Sequence, residues 1–524
     1  MSGSEWLLFL TLIQIVHFLG TWKLYQKAGK KSWEAIVPIY NAIVLLQIIK
    51  RPKWWVVLLF IPVINLLMFP IIWVETARSF GRNNTLDTWL SFLTLGLFLY
   101  TINYDEKATY IEDRSTSPKS ELGEWVSSVL FAIIAATLVH TYVMQPYTIP
   151  TSSLEKSLLV GDFLFVSKFH YGAKTPLSLI AAPMVHDTLP FVKAKSYLFN
   201  DNPEEQESSF INKFQLPYFR LPGFQKIKRN DIVVFNWPAD TVQQFFKKDR
   251  KYIKPIDKKS NYVKRCVAIA GDTLEIIDGY IHIDGKRSEM PERAKPQFFY
   301  EVDTQGKNLS ENALYNTYHV RRGEAYISNG KYILNMDEEN AKKLAKNPVV
   351  ASVKRRIQPT GKAEAVFPSK ELNWNKDNYG PLYIPEGGKT VAITKETLPF
   401  YKKIIEEYEH NELEVIGNHI YINGSKTESY TFSQDYYWMM GDNRHNSEDS
   451  RYWGFVPFDH VVGKPVFVWF SWDTYGKGLD KVRWERLFTT VHGEGPLNSY
   501  FYHFLVLLAI YTGVKRYRKY KANN

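Results

Sequence analysis

Three short stretches of the chain carry side chains that can do chemistry. Residues 149–162 hold neighbouring hydroxyls at positions 151–153, and a serine hydroxyl becomes a nucleophile when a base takes its proton. Residues 261–272 place Lys264 beside apolar side chains, where burial lowers the pKa of an amine and lets it act as a neutral base. Residues 440–457 are rich in polar side chains between aromatic ones, which predicts a loop organised by its own hydrogen bonds. Each stretch alone also fits a structural role, as an interfacial turn, an edge-strand lysine or a structural loop.

The elements that must position these stretches are predicted to be mainly β. Residues 231–238 form a short apolar run that ends in proline, which is typical of a strand. Residues 274–285 and 413–424 place glycine-containing turn pairs between β-branched residues, which predicts two hairpins. Residues 465–470 predict a buried strand that closes the domain.

Composition excludes several classes of protein. The 524 residues are 45% hydrophobic and carry a formal net charge of +11, which excludes a disordered or fibrous chain. The single cysteine, Cys266, excludes an internal disulfide framework and a cysteine-based zinc ribbon. The mean hydropathy of −0.27 is typical of a soluble protein, but the apolar residues are concentrated at the two ends of the chain.

Long uncharged runs at both ends predict membrane-spanning helices. A helix of about 20 residues is about 30 Å long, the thickness of the bilayer hydrocarbon. The run Ala35–Ile49 is shorter and contains Pro38, so a re-entrant or interfacial segment is expected there. The predicted spans are Trp6–Trp22, Trp54–Val74, Thr88–Tyr104, Trp125–Met144 and Gly495–Val514.

Positive charges predict the orientation of these spans, because lysine and arginine accumulate on the cytoplasmic side. The lysines and arginine of residues 23–53 are therefore expected to be cytoplasmic. If each later run crosses once, the central region lies outside and the basic tail after Val514 returns to the cytoplasm. Arg78 and Arg82 then fall on the outer side, against the rule.

Together the three stretches resemble the type I signal peptidases, membrane-bound Ser/Lys endopeptidases. The serine motif of that family, Ser-Gly-Ser-Met, stands here as Thr-Ser-Ser-Leu at 151–154. The lysine motif, Tyr-hydrophobic-Lys-Arg followed by Gly-Asp, stands as Tyr-Val-Lys-Arg at 262–265 and Gly-Asp at 271–272. The motif Gly-Asp-Asn-Arg-x-Asn-Ser-x-Asp-Ser-Arg matches residues 441–451 at every fixed position. The resemblance covers Trp125–Asp473 with gaps.

The resemblance implies a mainly β catalytic domain of the signal-peptidase type. The uncharged runs add N-terminal transmembrane helices and one C-terminal transmembrane helix, which lie outside the resemblance apart from Trp125–Met144. The predicted segments are an N-terminal polytopic membrane module with a cytoplasmic linker (1–123), a transmembrane helix (124–146), the first part of the catalytic domain with the Ser and Lys motifs (147–285), an inserted domain (286–430), the second part of the catalytic domain (431–490), a C-terminal transmembrane helix (495–514) and a basic cytoplasmic tail (515–524).

The resemblance also assigns the central roles. Ser153 is expected to be the nucleophile, because the residue before Leu154 aligns with the nucleophile of the family. Lys264 is then the general base, and Thr151 takes the position of a serine hydroxyl in the family's oxyanion hole. Residues two apart in an extended segment face the same side, so Ser152 is expected to face away from the site.

The remaining site residues follow from the same resemblance. Ser447 resembles the hydroxyl that orients the lysine amine, and Asp449 and Arg451 resemble the ion pair that holds the third loop. Neighbouring Arg265 is expected to be a structural or surface charge. The chemistry needs no metal and no cofactor. Shallow apolar pockets for small side chains at −1 and −3 of the cleavage site are expected to be lined by Tyr147, Ile149, Pro150, Leu154, Leu158, Tyr262 and Val263.

The function implied is removal of signal peptides from exported preproteins through an acyl-enzyme on Ser153. The partners implied are the signal peptides, the lipid bilayer and the secretion machinery, with no nucleic acid. The location implied is the bacterial cytoplasmic (inner) membrane, with several passes and the catalytic domain on the outer, periplasmic side.

Two other functions fit parts of the sequence. A catalytically inactive membrane scaffold that binds signal sequences would share the architecture, but Ser153 and Lys264 are both present. Ser153 and Lys156 also form the Ser-x-x-Lys pattern of penicillin-binding acyl transferases. The Lys-Thr-Gly motif of those enzymes does not occur in this chain, and Pro150 and Gly161 bracket the stretch where a helix would have to begin.

Overall fold

The computed structural model describes residues 2–118, 120–206, 208–242 and 250–523. Their internal contacts divide the chain into two compact units. The first unit contains the chain up to Val143 together with Lys174–Arg220 and Thr241–Lys258. The second contains Met144–Ala173, Leu221–Asp240 and the chain from Lys259 onward.

The N-terminal part of the first unit is helical. A capping box starts the first helix, because the Ser2 hydroxyl accepts from the Glu5 amide and the Glu5 carboxylate accepts from the Ser2 amide. Leu24, Leu46 and Ile64 belong to the apolar core that the helices share. The helices are α1 (Gly3–Lys27), α2 (Tyr40–Ile48), α3 (Trp55–Leu58), α4 (Ile64–Ser79), α5 (Thr85–Leu93), α6 (Phe98–Tyr104) and α7 (Glu121–Leu138).

Two helices of the described residues are long and apolar enough to cross a membrane. They are α1 and α7, the second with its continuation to Val143. A third span is possible if α5 and α6, which meet at a bend of 116°, are counted as one.

The predicted continuous spans Trp54–Val74 and Thr88–Tyr104 are both broken. After α3 the chain passes Pro62, which lacks an amide hydrogen, and Val63 has a φ of 70° before α4 begins. Between α5 and α6, Gly96 has a φ of 84°, and a Cβ there would lie 2.7 Å from the Trp73 ring. Glycine is therefore required at this bend.

An ionic network joins the ends of these broken segments. Arg82 pairs with Asp105 at 2.8 Å, and the Lys27 amine donates to the Asp105 carbonyl at 2.7 Å. These contacts hold the residues before and after α5–α6 close together. The buried Glu75 carboxylate accepts from three guanidinium groups, those of Arg51, Arg78 and Arg114.

The second unit is built mainly of antiparallel strands. The strands of the chain are β1 (Met144–Thr148), β2 (Asp162–Ser167), β3 (Ile232–Asn236), β4 (Asn261–Ala268), β5 (Thr273–Ile277), β6 (Tyr280–Ile283), β7 (Lys286–Arg287), β8 (Gln297–Asp303), β9 (Ala325–Ser328), β10 (Lys331–Asp337), β11 (Ser352–Arg355), β12 (Tyr379–Tyr383), β13 (Thr390–Ala392), β14 (Leu413–Ile416), β15 (His419–Ile422), β16 (Ser425–Thr427), β17 (Ser429–Thr431), β18 (Tyr436–Met440), β19 (Val456–Pro457), β20 (Val461–Ser471) and β21 (Thr489–Thr490). Its helices are α8 (Glu311–Asn316), α9 (Glu338–Leu344), α10 (Leu398–Lys403), α11 (Ser450–Trp453) and α12 (Phe501–Asn523).

The largest sheet is a β half-barrel. Its strand order is β1-β2-β20-β3-β4-β18-β19, and β21 pairs with β20. Strand β4 lies between β3 and β18, where Lys264 pairs with Val233 and Arg265 pairs with both Ile232 and Met440. Strands β3 and β18 are buried throughout, which explains their continuous apolar sequences.

The predicted strands and hairpins are confirmed, except that the run at 465–470 is only partly buried and lies in an inner strand of the sheet rather than closing it. The run at 231–238 contains β3, and the run at 465–470 lies within β20. The two predicted hairpins are the pairs β5–β6 and β14–β15.

The region 286–430 contributes to more than one core. Strands β8 to β11 form a four-stranded sheet in the order β11-β8-β10-β9, and their side chains share a core with α9 that includes Val302, Leu334 and Leu344. Farther along, Leu382 and Ile404 belong to another core, which includes Trp438 of β18.

The C-terminal helix begins later than predicted. Helix α12 starts at Phe501 rather than near Gly495, since Gly495 has a φ of 72° and Pro496 follows it. Its apolar part up to Val514 is about 14 residues, or ~21 Å, before the basic residues start. It is not among the described helices that are long and apolar enough to span a membrane, and its crossing stays a prediction.

Candidate active site

The side chains of Ser153 and Lys264 meet inside the second unit. The Lys264 Nζ and Ser153 Oγ atoms are 2.5 Å apart, and both residues are buried. The register of β4 between β3 and β18 holds the lysine in the middle of the sheet. Burial lowers the pKa of the Lys264 amine to about 8, because the charged form loses its hydration. A sizeable fraction of this amine is therefore neutral in mildly alkaline solution.

Residues 149–162, the serine loop, depart from the extended segment that the sequence predicts. Ser152–Leu154 form a short 3₁₀ turn, so the argument from two-residue alternation is wrong. Ser152 is buried, and its hydroxyl accepts from the Asn446 side-chain amide at 3.2 Å rather than from Lys264. Thr151 precedes the turn and is exposed.

The loop at 441–451 packs directly on the serine loop. The Asn443 backbone amide donates to the Ser153 carbonyl at 3.0 Å, and its side-chain amide donates to the Ser152 carbonyl at 3.2 Å. A Cβ at Gly441 would lie 2.5 Å from the Ser153 carbonyl oxygen. Glycine is required at 441 because the two loops approach so closely.

Two buried ion pairs hold this loop in place. Asp449 accepts from the Arg451 guanidinium at two contacts of 2.8 Å, and from the Gly441 amide at 3.1 Å. Burial acts to raise the pKa of Asp449, but the Arg451 charge and hydrogen bonds, the Lys264 charge and the Gly441 amide together outweigh it, so the pKa is lowered. The second pair joins Asp442 to Arg265 at 2.6 and 2.8 Å. Arg265 is thus a buried structural charge and not a surface one.

The Ser447 hydroxyl has no hydrogen-bond partner among the described residues, although it is buried. The expected hydrogen bond to the Lys264 amine is not formed. Ser447 nevertheless lies beside Gly441, where an added Cβ would strike its side chain.

The expected pocket residues divide into two groups. Ile149, Leu154 and Leu158 are buried in a core cluster of the half-barrel with at most 4% of their surface exposed, which leaves little of them for a ligand. The others are half-buried or exposed, and these are Tyr147, Pro150, Tyr262 and Val263. Trp237 stacks on Tyr262 with ring centroids 5.0 Å apart, a neighbour that the sequence did not indicate.

Lys156 does not approach Ser153 as the Ser-x-x-Lys hypothesis requires. Its amine donates to the His319 carbonyl at 2.6 Å and lies 3.6 Å from the Asp337 carboxylate. The residue has a φ of 75°, so no helix runs from Ser153 to Lys156. Among the described residues, no group of three or more His, Cys, Asp or Glu side chains is arranged to hold a metal ion.

Sequence reasoning missed several residues that contact the serine loop or the loop at 441–451. Asn443 and Asn446 lie in the third motif, and their fixed positions in it were the available signal. Gln297, Glu324 and Asn335 come from the region 286–430 and carry no local signal. The Gln297 side-chain amide donates to the Glu155 carbonyl at 2.7 Å.

Two family models match the chain. The model of signal peptidase, peptidase S26, matches residues 122–342 and 384–472, which is more than half of the chain and includes all three motifs. A family of unknown function, DUF5684, matches residues 33–113, within the N-terminal helical module.

The chain is also similar to several bacterial proteins named signal peptidase I. The protein from Helicobacter pylori strain 26695 is 26% identical over 384 residues, covering 70% of this chain and 92% of the relative. The protein from Haemophilus influenzae is 22% identical over 393 residues, covering 75% and 80%. The protein from Buchnera aphidicola of Acyrthosiphon pisum is 23% identical over 342 residues, covering 65% and 72%.

Proposed function

Because the chain belongs to the signal peptidase family, peptidase S26, and is thus a serine peptidase, we propose that it removes the N-terminal signal peptides of exported preproteins. The observation that carries this proposal is the 2.5 Å distance between Ser153 Oγ and Lys264 Nζ. A nucleophile and a base at hydrogen-bond distance are the minimum for acyl transfer by a serine peptidase.

The proposed reaction passes through an acyl-enzyme. Neutral Lys264 takes the Ser153 proton while Oγ attacks the carbonyl carbon of the scissile peptide bond. The Ser153 backbone N–H and the Thr151 hydroxyl stabilise the oxyanion, each by ~3 kcal/mol. The protonated Lys264 then gives its proton to the leaving amine of the mature chain. Lys264 next deprotonates a water molecule, which attacks the Ser153 ester; the Ser153 oxygen leaves, takes the proton back from Lys264, and the signal peptide is released.

The proposed substrate is an extended peptide with small residues at −1 and −3. Tyr147, Pro150, Tyr262 and Val263 keep exposed surface beside the serine loop and are the proposed lining of its pockets. The peptide would pair with strand edges through main-chain hydrogen bonds, a mode that is independent of side-chain identity. Small pockets then select peptides with small side chains at −1 and −3.

The proposed location is the cytoplasmic membrane of a bacterium, with the second unit on the outer side. The ionic network that joins Lys27, Arg51, Arg82 and Arg114 to the helix ends supports this orientation, because it gathers the basic residues on one side of the module. With that side cytoplasmic, helix α7 leads outward from it. Arg78 and Arg82 no longer contradict the positive-inside rule.

Cleavage of a preprotein by the full chain in detergent tests the proposal. The wild-type protein is expected to release one mature product whose N-terminus follows the −1 residue, and Ser153→Ala is expected to release none. An inactive wild-type protein that still retains signal sequences would favour the scaffold function instead. Equal cleavage by wild type and Ser153→Ala would place the nucleophile elsewhere.

A further inference from the structure

A buried polar cluster lies behind the serine loop and is contributed largely by the region 286–430. Glu324 precedes strand β9 and is 6% exposed, and Asn335 lies on β10 with no exposed surface. The Glu324 carboxylate accepts from the Asn335 amide at 2.9 Å and from the Asn446 amide at 2.9 Å. A buried carboxylate is costly unless it is surrounded by donors, and the Arg321 guanidinium lies 3.5 Å from Glu324 as a further one.

The cluster fixes which way the Asn443 side chain points. The Asn335 amide donates to Asn443 Oδ1 at 2.6 Å, while Asn443 Nδ2 lies 3.3 Å from Glu324 Oε2. The Asn443 side-chain amide cannot be flipped, because its oxygen must face the Asn335 donor and its nitrogen must face the Glu324 acceptor. Asn443 Nδ2 is thereby directed to the Ser152 carbonyl, at 3.2 Å.

The Ser152 carbonyl and the Ser153 N–H belong to the same peptide unit. This unit is planar and trans, so its C=O and N–H point in opposite directions. The hydrogen bonds that hold the Ser152 oxygen, from Asn443 Nδ2 and from the Glu155 amide at 3.0 Å, therefore set the direction of the Ser153 N–H. That N–H is the backbone donor of the oxyanion hole under Proposed function, on which this inference rests.

We propose that Glu324 and Asn335 are positioning residues for catalysis, which act through Asn443 to aim the Ser153 N–H at the oxyanion. Neither side chain touches the substrate. The region 286–430 would thus supply part of the active-site support, since two of its side chains set the geometry of the serine loop. A buried amide network of this kind works as a unit, because each member restricts the orientation of the next.

Steady-state cleavage of a preprotein by Glu324→Gln and Asn335→Asp tests the inference. Both changes keep the size of the side chain. Glu324→Gln places an amide against the amides of Asn335 and Asn446, and Asn335→Asp places a carboxylate against Glu324. We expect kcat to fall about 10- to 100-fold with KM within about 2-fold, since a misdirected oxyanion donor acts in the transition state. The control Glu339→Gln alters an exposed carboxylate of the same region and should match wild type.

A swapped pair separates positioning from general destabilisation. In Glu324→Gln/Asn446→Asp the donor and acceptor exchange places, so the 324–446 hydrogen bond is restored. We expect this double variant to recover most of the kcat lost in Glu324→Gln, whereas Asn446→Asp alone sets two carboxylates together and loses activity. Each kcat is calculated per folded molecule, measured by size-exclusion chromatography of the detergent-solubilised protein.

Two results would overturn the inference. One is wild-type kcat in both Glu324→Gln and Asn335→Asp, and the other is a double variant no faster than the slower of its two single variants.

The burst of p-nitrophenol from a p-nitrophenyl ester measures acylation of Ser153 without a preprotein. An enzyme that gives the burst but cuts no preprotein would contradict the proposed function alone, and the burst rates of the variants would still decide the positioning roles. Absence of the burst in wild type as well as absence of cleavage would contradict both.

Discussion

At the residue scale, the proposed chemistry depends on the state of one amine. Lys264 would be almost fully charged near neutral pH if its pKa were the ordinary value of 10.5. Burial in the half-barrel lowers the pKa to about 8, while its partner Ser153 stays within hydrogen-bond distance. The same burial that is unfavourable for a charged lysine makes it useful as a base.

The pH dependence of cleavage follows from this lowered pKa. The base must be neutral, so the rate should rise with pH and level off above about pH 8, and it should be about 100-fold lower at pH 6. Lys264→Arg keeps a charge that cannot be lost and should be as inactive as Lys264→Ala. A pH–rate profile on one preprotein measures both, and an active Lys264→Arg enzyme would show that another group is the base.

The two hydroxyls that flank the proposed nucleophile should behave differently. Thr151→Val keeps the shape but removes a donor, so kcat should fall about 10²- to 10³-fold with little change in KM. Ser152→Ala should keep most of the activity, because the Ser152 hydroxyl binds Asn446 and not Lys264. Steady-state kinetics on both variants measure this contrast, and a loss confined to KM in Thr151→Val would contradict the oxyanion role.

At the element scale, strand β4 links the site to the third loop through adjacent residues. Lys264 reaches the serine loop, and the next residue, Arg265, binds Asp442 with two hydrogen bonds. Asp442 also accepts from the Ser157 hydroxyl at 2.5 Å, so one carboxylate connects all three motif stretches. The Arg265 charge lowers the pKa of Asp442 although burial acts to raise it.

Replacement of Arg265 tests this link. Arg265→Lys keeps the charge but loses the bidentate geometry, so the free energy of unfolding should fall by about 1–3 kcal/mol. Activity at low temperature should survive in the molecules that stay folded, because Arg265 does not touch the Ser153 hydroxyl. Thermal unfolding of the detergent-solubilised protein measures the loss. Arg287→Lys, an exposed arginine on β7, is the control, and equal stability of the two variants would contradict the link.

At the scale of the whole molecule, the breaks between α3 and α4 and between α5 and α6 lead us to propose a topology that differs from the expected one. The out-and-back scheme from the sequence places the loop between α4 and α5 outside, near Arg78 and Arg82. In the proposed topology, the Arg82–Asp105 and Arg51–Glu75 contacts keep this loop on the same side as the linker before α7. The basic residues thereby share one side of the module.

Cysteine labelling distinguishes the two schemes. The native Cys266 is buried and should give little background. Asn83→Cys should resist a membrane-impermeant maleimide in intact spheroplasts and react after lysis, while Thr360→Cys in the second unit should react in both conditions. Both native side chains are exposed. Labelling of Asn83→Cys before lysis would restore the out-and-back scheme.

The sequence by itself determined the local elements of the structure. The hairpins β5–β6 and β14–β15 follow from turn pairs whose preference needs no distant contact. The match at 441–451 identified the third loop, because a loop held by its own side chains, as Asp449 holds Arg451, must carry that pattern in consecutive residues. The apolar helices α1 and α7 follow from length and composition alone.

The tertiary structure decided what depends on distant residues. The contact of Ser153 with Lys264 joins positions 111 residues apart, and the register of β4 that creates it is invisible in either stretch. Glu324 and Asn335 reach Asn443, which binds the Ser152 carbonyl, only because a sheet from another part of the chain packs behind it. The breaks in the N-terminal apolar runs were missed for the same reason. Hydropathy measures the length of an apolar run. The direction that the chain takes within the run depends on a bend at Gly96 and on ion pairs between distant residues.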